Sequence, residues 1–160
     1  MPTGASYGRL KGVIDSLSLR YEAPQFEPHV TLVGGLKGSE KDVTLKTEKL
    51  SEEIRRFPIK LDGADYRNEF FKALFLRAQK EGGIFEANSK ARETFGLPAD
   101  PEYMPHLSLL YGNFDTQKKK EMIERYVRSV DTEFIVDRLH LFSTDGEVHM
   151  WKEIEQFPLE

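Results

Sequence analysis

Apolar residues at helical spacing open the chain. Leu10, Val13, Ile14 and Leu17 share one face and predict a helix over residues 8–21. The same rhythm returns over about 42–57 (Val43, Leu45, Leu50, Ile54), over 84–95, and over about 116–130 (Met122, Ile123, Tyr126, Val127, Val130). Ser39 with Asp42, and Asp115 or Thr116, stand where helix N-caps belong. Shorter apolar or alternating stretches predict strands at 57–61 and at 72–77, the latter pairing with 59–66. The two segments around His29 and His106 also have strand character, and residues 96–101 read as a loop. The end predicts a hairpin of 134–142 and 148–154, turning through Ser143-Thr144-Asp145-Gly146.

These elements recur. Phe26-Glu27-Pro28-His29-Val30-Thr31-Leu32-Val33 matches Tyr103-Met104-Pro105-His106-Leu107-Ser108-Leu109-Leu110 at a constant offset of 77 residues. Gly35 and Gly112 keep that offset, as do Phe57 and Phe134 beyond the helix that follows each motif. Strand–helix–strand units in duplicate predict an α+β fold of two similar lobes. The strand before the second motif maps to positions before Met1, so the first lobe is expected to lack a strand or to be built differently.

With 160 residues, 39% hydrophobic and 31% charged, the chain can support its own core, which excludes a disordered tail. No cysteine is present, so thiolate nucleophiles, disulfides and Cys-ligated metals are excluded. The first residues lack the basic start and apolar run of a secretion signal, and no apolar run approaches a membrane span. A cytosolic protein is expected. The net charge of −4 argues against a duplex-binding protein, which gains affinity by neutralising many phosphates.

On a strand, residues i and i+2 share a face, so His29 points with Thr31, and His106 with Ser108. Ser and Thr make up 17 of the 160 residues, so any one His has roughly a one-in-nine chance of a hydroxyl residue two positions on, and a lone match carries no weight. Two matches, each after Pro and inside a repeat, point to function. Two imidazoles can supply the base and the acid for opening a cyclic phosphodiester, and the hydroxyls can donate to phosphate oxygens. His140 and His149 are followed at i+2 by Phe142 and Trp151 and read as structural or surface residues. Neither motif supplies a second strong metal ligand at local spacing, so no metal is expected. Lys118-Lys119-Lys120 reads as a solvated helix face, and Gly34-Gly35 and Gly82-Gly83 as turns. Phe70, Phe71 and Trp151 are either core or surfaces for stacking on a base.

The paired Pro-His-x-Thr/Ser motifs resemble those of the 2H phosphoesterase superfamily, and more narrowly of the plant- and yeast-type cyclic phosphodiesterases. Weaker similarity runs through Phe70-Phe71-Lys72 and from Ser143 to Trp151. The resemblance implies a bilobal, pseudo-two-fold fold, antiparallel sheets lining a central groove with helices outside. It implies catalysis by His29 and His106, phosphate binding by Thr31 and Ser108, and substrate contacts from Tyr111 and Phe71. Family substrates are ADP-ribose 1″,2″-cyclic phosphate, opened to the 1″-phosphate, and nucleoside 2′,3′-cyclic phosphates, opened to 2′-phosphates. The family usually opens with an apolar strand, whereas helix-like sequence begins here almost at once.

The expectation for residues 1–160 is a single cyclic phosphodiesterase domain of two pseudo-symmetric lobes, with motifs at 28–33 and 105–110. It would be a monomer acting on a small-molecule cyclic phosphate, with no cofactor, no membrane and no duplex nucleic acid as partner. Two readings stay open beside it: an RNA-end enzyme (a 2′,5′ RNA ligase-like phosphodiesterase or a 3′-end exonuclease), and a catalytically silent module that binds nucleotide or RNA ends.

Overall fold

The computed structural model describes residues 1–80, 82–127, 130 and 132–160. In chain order the elements are α1 (Gly4–Tyr21), α2 (Glu40–Glu53), β1 (Phe57–Asp65), β2 (Leu74–Ala78), α3 (Gly83–Thr94), β3 (His106–Leu110), α4 (Thr116–Met122), β4 (Thr132–Val136), β5 (Arg138–Ser143) and β6 (Lys152–Pro158). Single 3-10 turns, Phe70–Lys72 and Val148–Met150, precede β2 and β6. The fold is α+β, with a four-stranded antiparallel sheet in the order β3-β2-β1-β4 and a separate β5–β6 hairpin.

Local chemistry sets the helix starts. Ser39 Oγ accepts the Asp42 N–H, and the Asp115 carboxylate accepts the Lys118 N–H, so both caps stand where the sequence places them. Residues 54–57 do not continue α2, because Phe57, Ile59 and Leu61 alternate with exposed Pro58 and Lys60 to begin β1. The predicted end of the fourth helix reaches residues 128 and 129, which lie outside the described residues.

One face of the large sheet carries Leu74, Leu76, Ala78, Leu107 and Leu109 into a core shared with Leu10, Ile14 and Leu17 of α1 and Ile84, Ala87 and Ala91 of α3. Each fully buried leucine or isoleucine there contributes roughly 1.5–3 kcal/mol. Phe75 is fully buried but stands apart from that cluster. It points to the opposite face, where its ring lies 5.1 Å from the His106 ring.

The repeat is visible in the strand pairing. Val30 bridges Leu107, its own counterpart at the offset of 77, and Pro58 pairs with Ile135, again its own counterpart. Two self-equivalent pairs define a pseudo-two-fold axis passing between the members of each. An offset of 78, one residue longer, relates the two 3-10 turns and the starts of β2 and β6.

Three further details differ from the sequence expectation. The predicted strand over 134–142 divides at Asp137, because β4 joins β1 while β5 joins β6, so the chain must cross between sheets. The first motif is extended but joins β3 only through the bridge at Val30, with no ladder beyond it among the described residues. Side chains replace part of the missing ladder: Asn88 Nδ2 donates to the Leu32 carbonyl at 2.7 Å, and Tyr103 Oη donates to the Thr31 carbonyl at 2.9 Å. Finally, Lys119 is not solvated but only 1% exposed. Its ammonium donates to the Arg67 carbonyl and Asn68 Oδ1 and lies 5.3 Å from the Tyr66 ring centroid, which offsets its burial.

Candidate active site

In an antiparallel bridge the flanking residues face one another in reverse order. The Val30–Leu107 bridge therefore sets His29 across from Ser108 and Thr31 across from His106, all four on the face opposite to the inward-turned Val30 and Leu107. Two motifs 77 residues apart in sequence thus meet at their own midpoints, on the pseudo-two-fold axis.

The imidazoles are held alike. His29 Nδ1 lies 2.6 Å from the Glu27 carbonyl, and His106 Nδ1 lies 2.8 Å from the Met104 carbonyl. A carbonyl can only accept, so each Nδ1 carries the proton and donates, leaving Nε2 of the neutral ring as a free acceptor. Both rings are half-buried. Desolvation is the main cause that pushes each pKa below 6.5, opposed by the backbone carbonyl. The N-terminal ammonium and His106 lower His29 further, while the Lys72 ammonium lowers His106 and Glu69 raises it.

The hydroxyls are not alike. Thr31 is exposed, and its hydroxyl has no partner among the described residues. Ser108 is 6% exposed, and its hydroxyl donates to the Phe71 carbonyl at 2.8 Å. Tyr111 is buried, and burial pushes its phenol pKa up. Phe26 stacks on the Tyr111 ring at 3.8 Å, and Phe71 and Trp151 stand edge-on at 5.2 and 6.2 Å. Tyr111 is thus packed inside an aromatic cluster, whereas Phe71, 50% exposed, offers an open ring at its rim.

Gly112 fixes this rim. Its N–H donates to the Phe70 carbonyl at 2.9 Å, its φ is +146°, and a Cβ there would lie 2.5 Å from the Phe114 ring, so only glycine fits. Sequence reasoning missed the Glu69–Lys72 ion pair, 2.8 Å between Nζ and Oε2, whose charges act on His106. It carries no motif, and its one cue is position, directly beside Phe70-Phe71. His149 is exposed, and His140 is bound to Glu153 on the β5–β6 hairpin, away from the paired motifs in sequence and sheet. Two surface concavities, one along α1 and Tyr126 and one between Glu53 and Lys90, are not lined by any of the four motif residues. Among the described residues no group of three or more His, Asp or Glu is placed to hold a metal ion, and no helix is long and apolar enough to cross a membrane.

Comparison with known proteins places this arrangement. The family model of the 2′-5′ RNA ligase superfamily matches residues 8–147. The chain belongs to that superfamily, the 2H phosphoesterases. It is an enzyme of that group, similar to a cyclic phosphodiesterase of Arabidopsis thaliana, with 28% identity over 151 residues that cover 92% of this chain and 83% of the relative. The crystal structure of TT0787 of Thermus thermophilus shares the fold, with a TM-score of 0.61 over 95% of this chain and 92% of the other at 16% identity.

Proposed function

We propose that this superfamily member hydrolyses cyclic phosphodiesters, namely ADP-ribose 1″,2″-cyclic phosphate to the 1″-phosphate, nucleoside 2′,3′-cyclic phosphates to 2′-phosphates, or both. The observation that carries the reading is the Val30–Leu107 bridge, which sets the two imidazoles and two hydroxyls on one face. The cyclic phosphodiesterase relative supports the substrate class. Residues 1–160 act as one catalytic unit whose two halves each supply one imidazole.

A phosphate on that face lies between two free Nε2 atoms. One neutral imidazole, His29 or His106, takes a proton from water as the water oxygen bonds to phosphorus. The other, as imidazolium, gives its Nε2 proton to the ring oxygen as the P–O bond breaks. Each such transfer contributes about 10²–10⁴-fold. The pair gains one proton and gives one, so exchange with solvent restores the starting state. The Thr31 hydroxyl donates to a non-bridging oxygen, and the Ser108 hydroxyl reaches the other by turning from the Phe71 carbonyl. The Phe71 ring stacks on the base.

The test incubates the protein in EDTA with ADP-ribose 1″,2″-cyclic phosphate, with 2′,3′-cyclic AMP and with an oligonucleotide bearing a 2′,5′ linkage, following products by phosphorus NMR. Monoester from either cyclic substrate at higher kcat/KM than from the oligonucleotide is expected. Preference for the oligonucleotide would make this an RNA-end enzyme, and saturable binding without product would make it a silent binding module.

A further inference from the structure

A cyclic phosphodiester is an anion, and the attack of water increases the charge on its oxygens. The two hydroxyls of the motifs are neutral donors, and one of them is already engaged on the Phe71 carbonyl. The one cation among the four motif residues is the acid imidazolium, whose proton goes to the leaving oxygen, so no lasting positive charge is left for the non-bridging oxygens.

The groups facing His106 are few. His29 stands across the bridge and senses the charge of His106. Arg77 pairs with His106 on β2, but its guanidinium turns over Gly63 toward Asp65, 3.7 Å away. Lys72 and Glu69 remain. Lys72 follows Phe71, whose carbonyl is 2.8 Å from Ser108 Oγ, so its backbone is one peptide from a motif hydroxyl. That backbone is pinned twice: its N–H donates to the Glu69 carbonyl at 3.0 Å and its carbonyl accepts from Arg67 N–H at 2.8 Å. An ammonium carries three donors. Glu69 takes one, and among the described residues nothing takes the other two.

We propose that Lys72 is the cationic arm of the site, closing on a non-bridging oxygen of the bound cyclic phosphate, and that Glu69 is the counter-ion that holds the ammonium in place while no anion is bound. The inference rests on the cyclic-phosphate reading for its substrate. Its electrostatic part concerns an anion beside His106 and is measurable without turnover. The exposed Glu69–Lys72 pair is weakly held, as surface pairs are, so handing the ammonium to a phosphate costs little.

The test compares wild type with Lys72→Met, Lys72→Arg and Glu69→Gln, with Lys120→Met as a control of equal charge change on an exposed part of α4. Three quantities are read: kcat and KM for 2′,3′-cyclic AMP, binding of inorganic phosphate by phosphorus NMR, and the His106 titration by proton–carbon NMR in the free protein. Lys72→Met is expected to lower kcat/KM and phosphate affinity by about 10- to 100-fold, the effect of one charged hydrogen bond. It should raise the His106 pKa, while Glu69→Gln lowers it. Lys72→Arg should restore most of the affinity, and Lys120→Met should change none of the three. A Lys72→Met protein with wild-type phosphate affinity and an unmoved His106 titration overturns the proposal, whatever the activity. A wild type that binds phosphate through Lys72 yet opens no cyclic phosphate keeps it and overturns the hydrolase reading instead.

Discussion

Thr31 and Ser108 occupy equivalent places in the repeat, yet their surroundings differ, so their removal should separate stability from activity. Ser108 is buried and donates to the Phe71 carbonyl at 2.8 Å. Ser108→Ala removes the Phe71 bond and leaves that carbonyl short of a partner. A net hydrogen bond is worth about 1 kcal/mol, and an unsatisfied buried group costs about 1–3 kcal/mol, so the loss should be about 1–3 kcal/mol. For a chain of 160 residues this corresponds to a Tm lowered by roughly 2–12 °C. Thr31 is exposed and its hydroxyl has no partner among the described residues, so Thr31→Ala should stay within about 0.5 kcal/mol of wild type. Urea unfolding followed by circular dichroism measures both, and turnover of 2′,3′-cyclic AMP by the folded fractions measures their part in catalysis. Both variants should turn over more slowly. Equal destabilisation by the two, or a Ser108→Ala protein as stable as wild type, would refute the inequality drawn from their hydrogen bonds.

Other outcomes follow from the imidazoles. His29→Ala and His106→Ala should each lower kcat by at least about 10²-fold, and the double variant little further, because base and acid act in one step; wild-type turnover in either single variant would remove that residue from the mechanism. Since burial holds both pKa values below 6.5, the state with one ring protonated is populated on the acid side, so kcat/KM should peak below about pH 6.5 and fall at higher and lower pH. A flat profile from pH 5 to 9 would contradict two titrating imidazoles. The same shifts link to folding: His29, His106 and His140 bind protons less readily folded than unfolded, so their contribution is whole above pH 6.5 and is lost as pH falls through the folded values. Thermal melts should show Tm falling with acidification below about pH 6.5, and an unchanged Tm down to pH 5 would show that the rings are not desolvated.

Much of this was legible in the sequence because the repeat has a fixed offset. Period and capping located all four helices, and the spacing of His29 with Thr31 and of His106 with Ser108 put each imidazole and hydroxyl on one face. The single-residue break at Asp137 was not legible, since 134–142 reads as one arm of a hairpin and only the choice of partner strand divides it. Nor was Lys119, whose neighbours Lys118 and Lys120 are exposed as a charged run suggests; its burial depends on the Arg67 and Asn68 oxygens 52 and 51 residues away. The Glu69–Lys72 pair was illegible for a similar reason: its importance comes from a hydrogen bond between Phe71 and Ser108, 37 residues apart. Pattern finds elements, but contacts between distant loops leave no period to read.

The axis through Val30 and Leu107 has a further consequence. Two identical halves would offer an incoming ring no preference between its two ester oxygens, since either could face either imidazole. What breaks the tie is furniture found on one side only: the half-exposed Phe71 ring, and Lys72 next to it, whose counterparts at the offset of 78 are His149 and Met150. Which alcohol is freed and which keeps the phosphoryl group is therefore written in this lopsided border, and exchanging those residues between the halves is the route to reversing it.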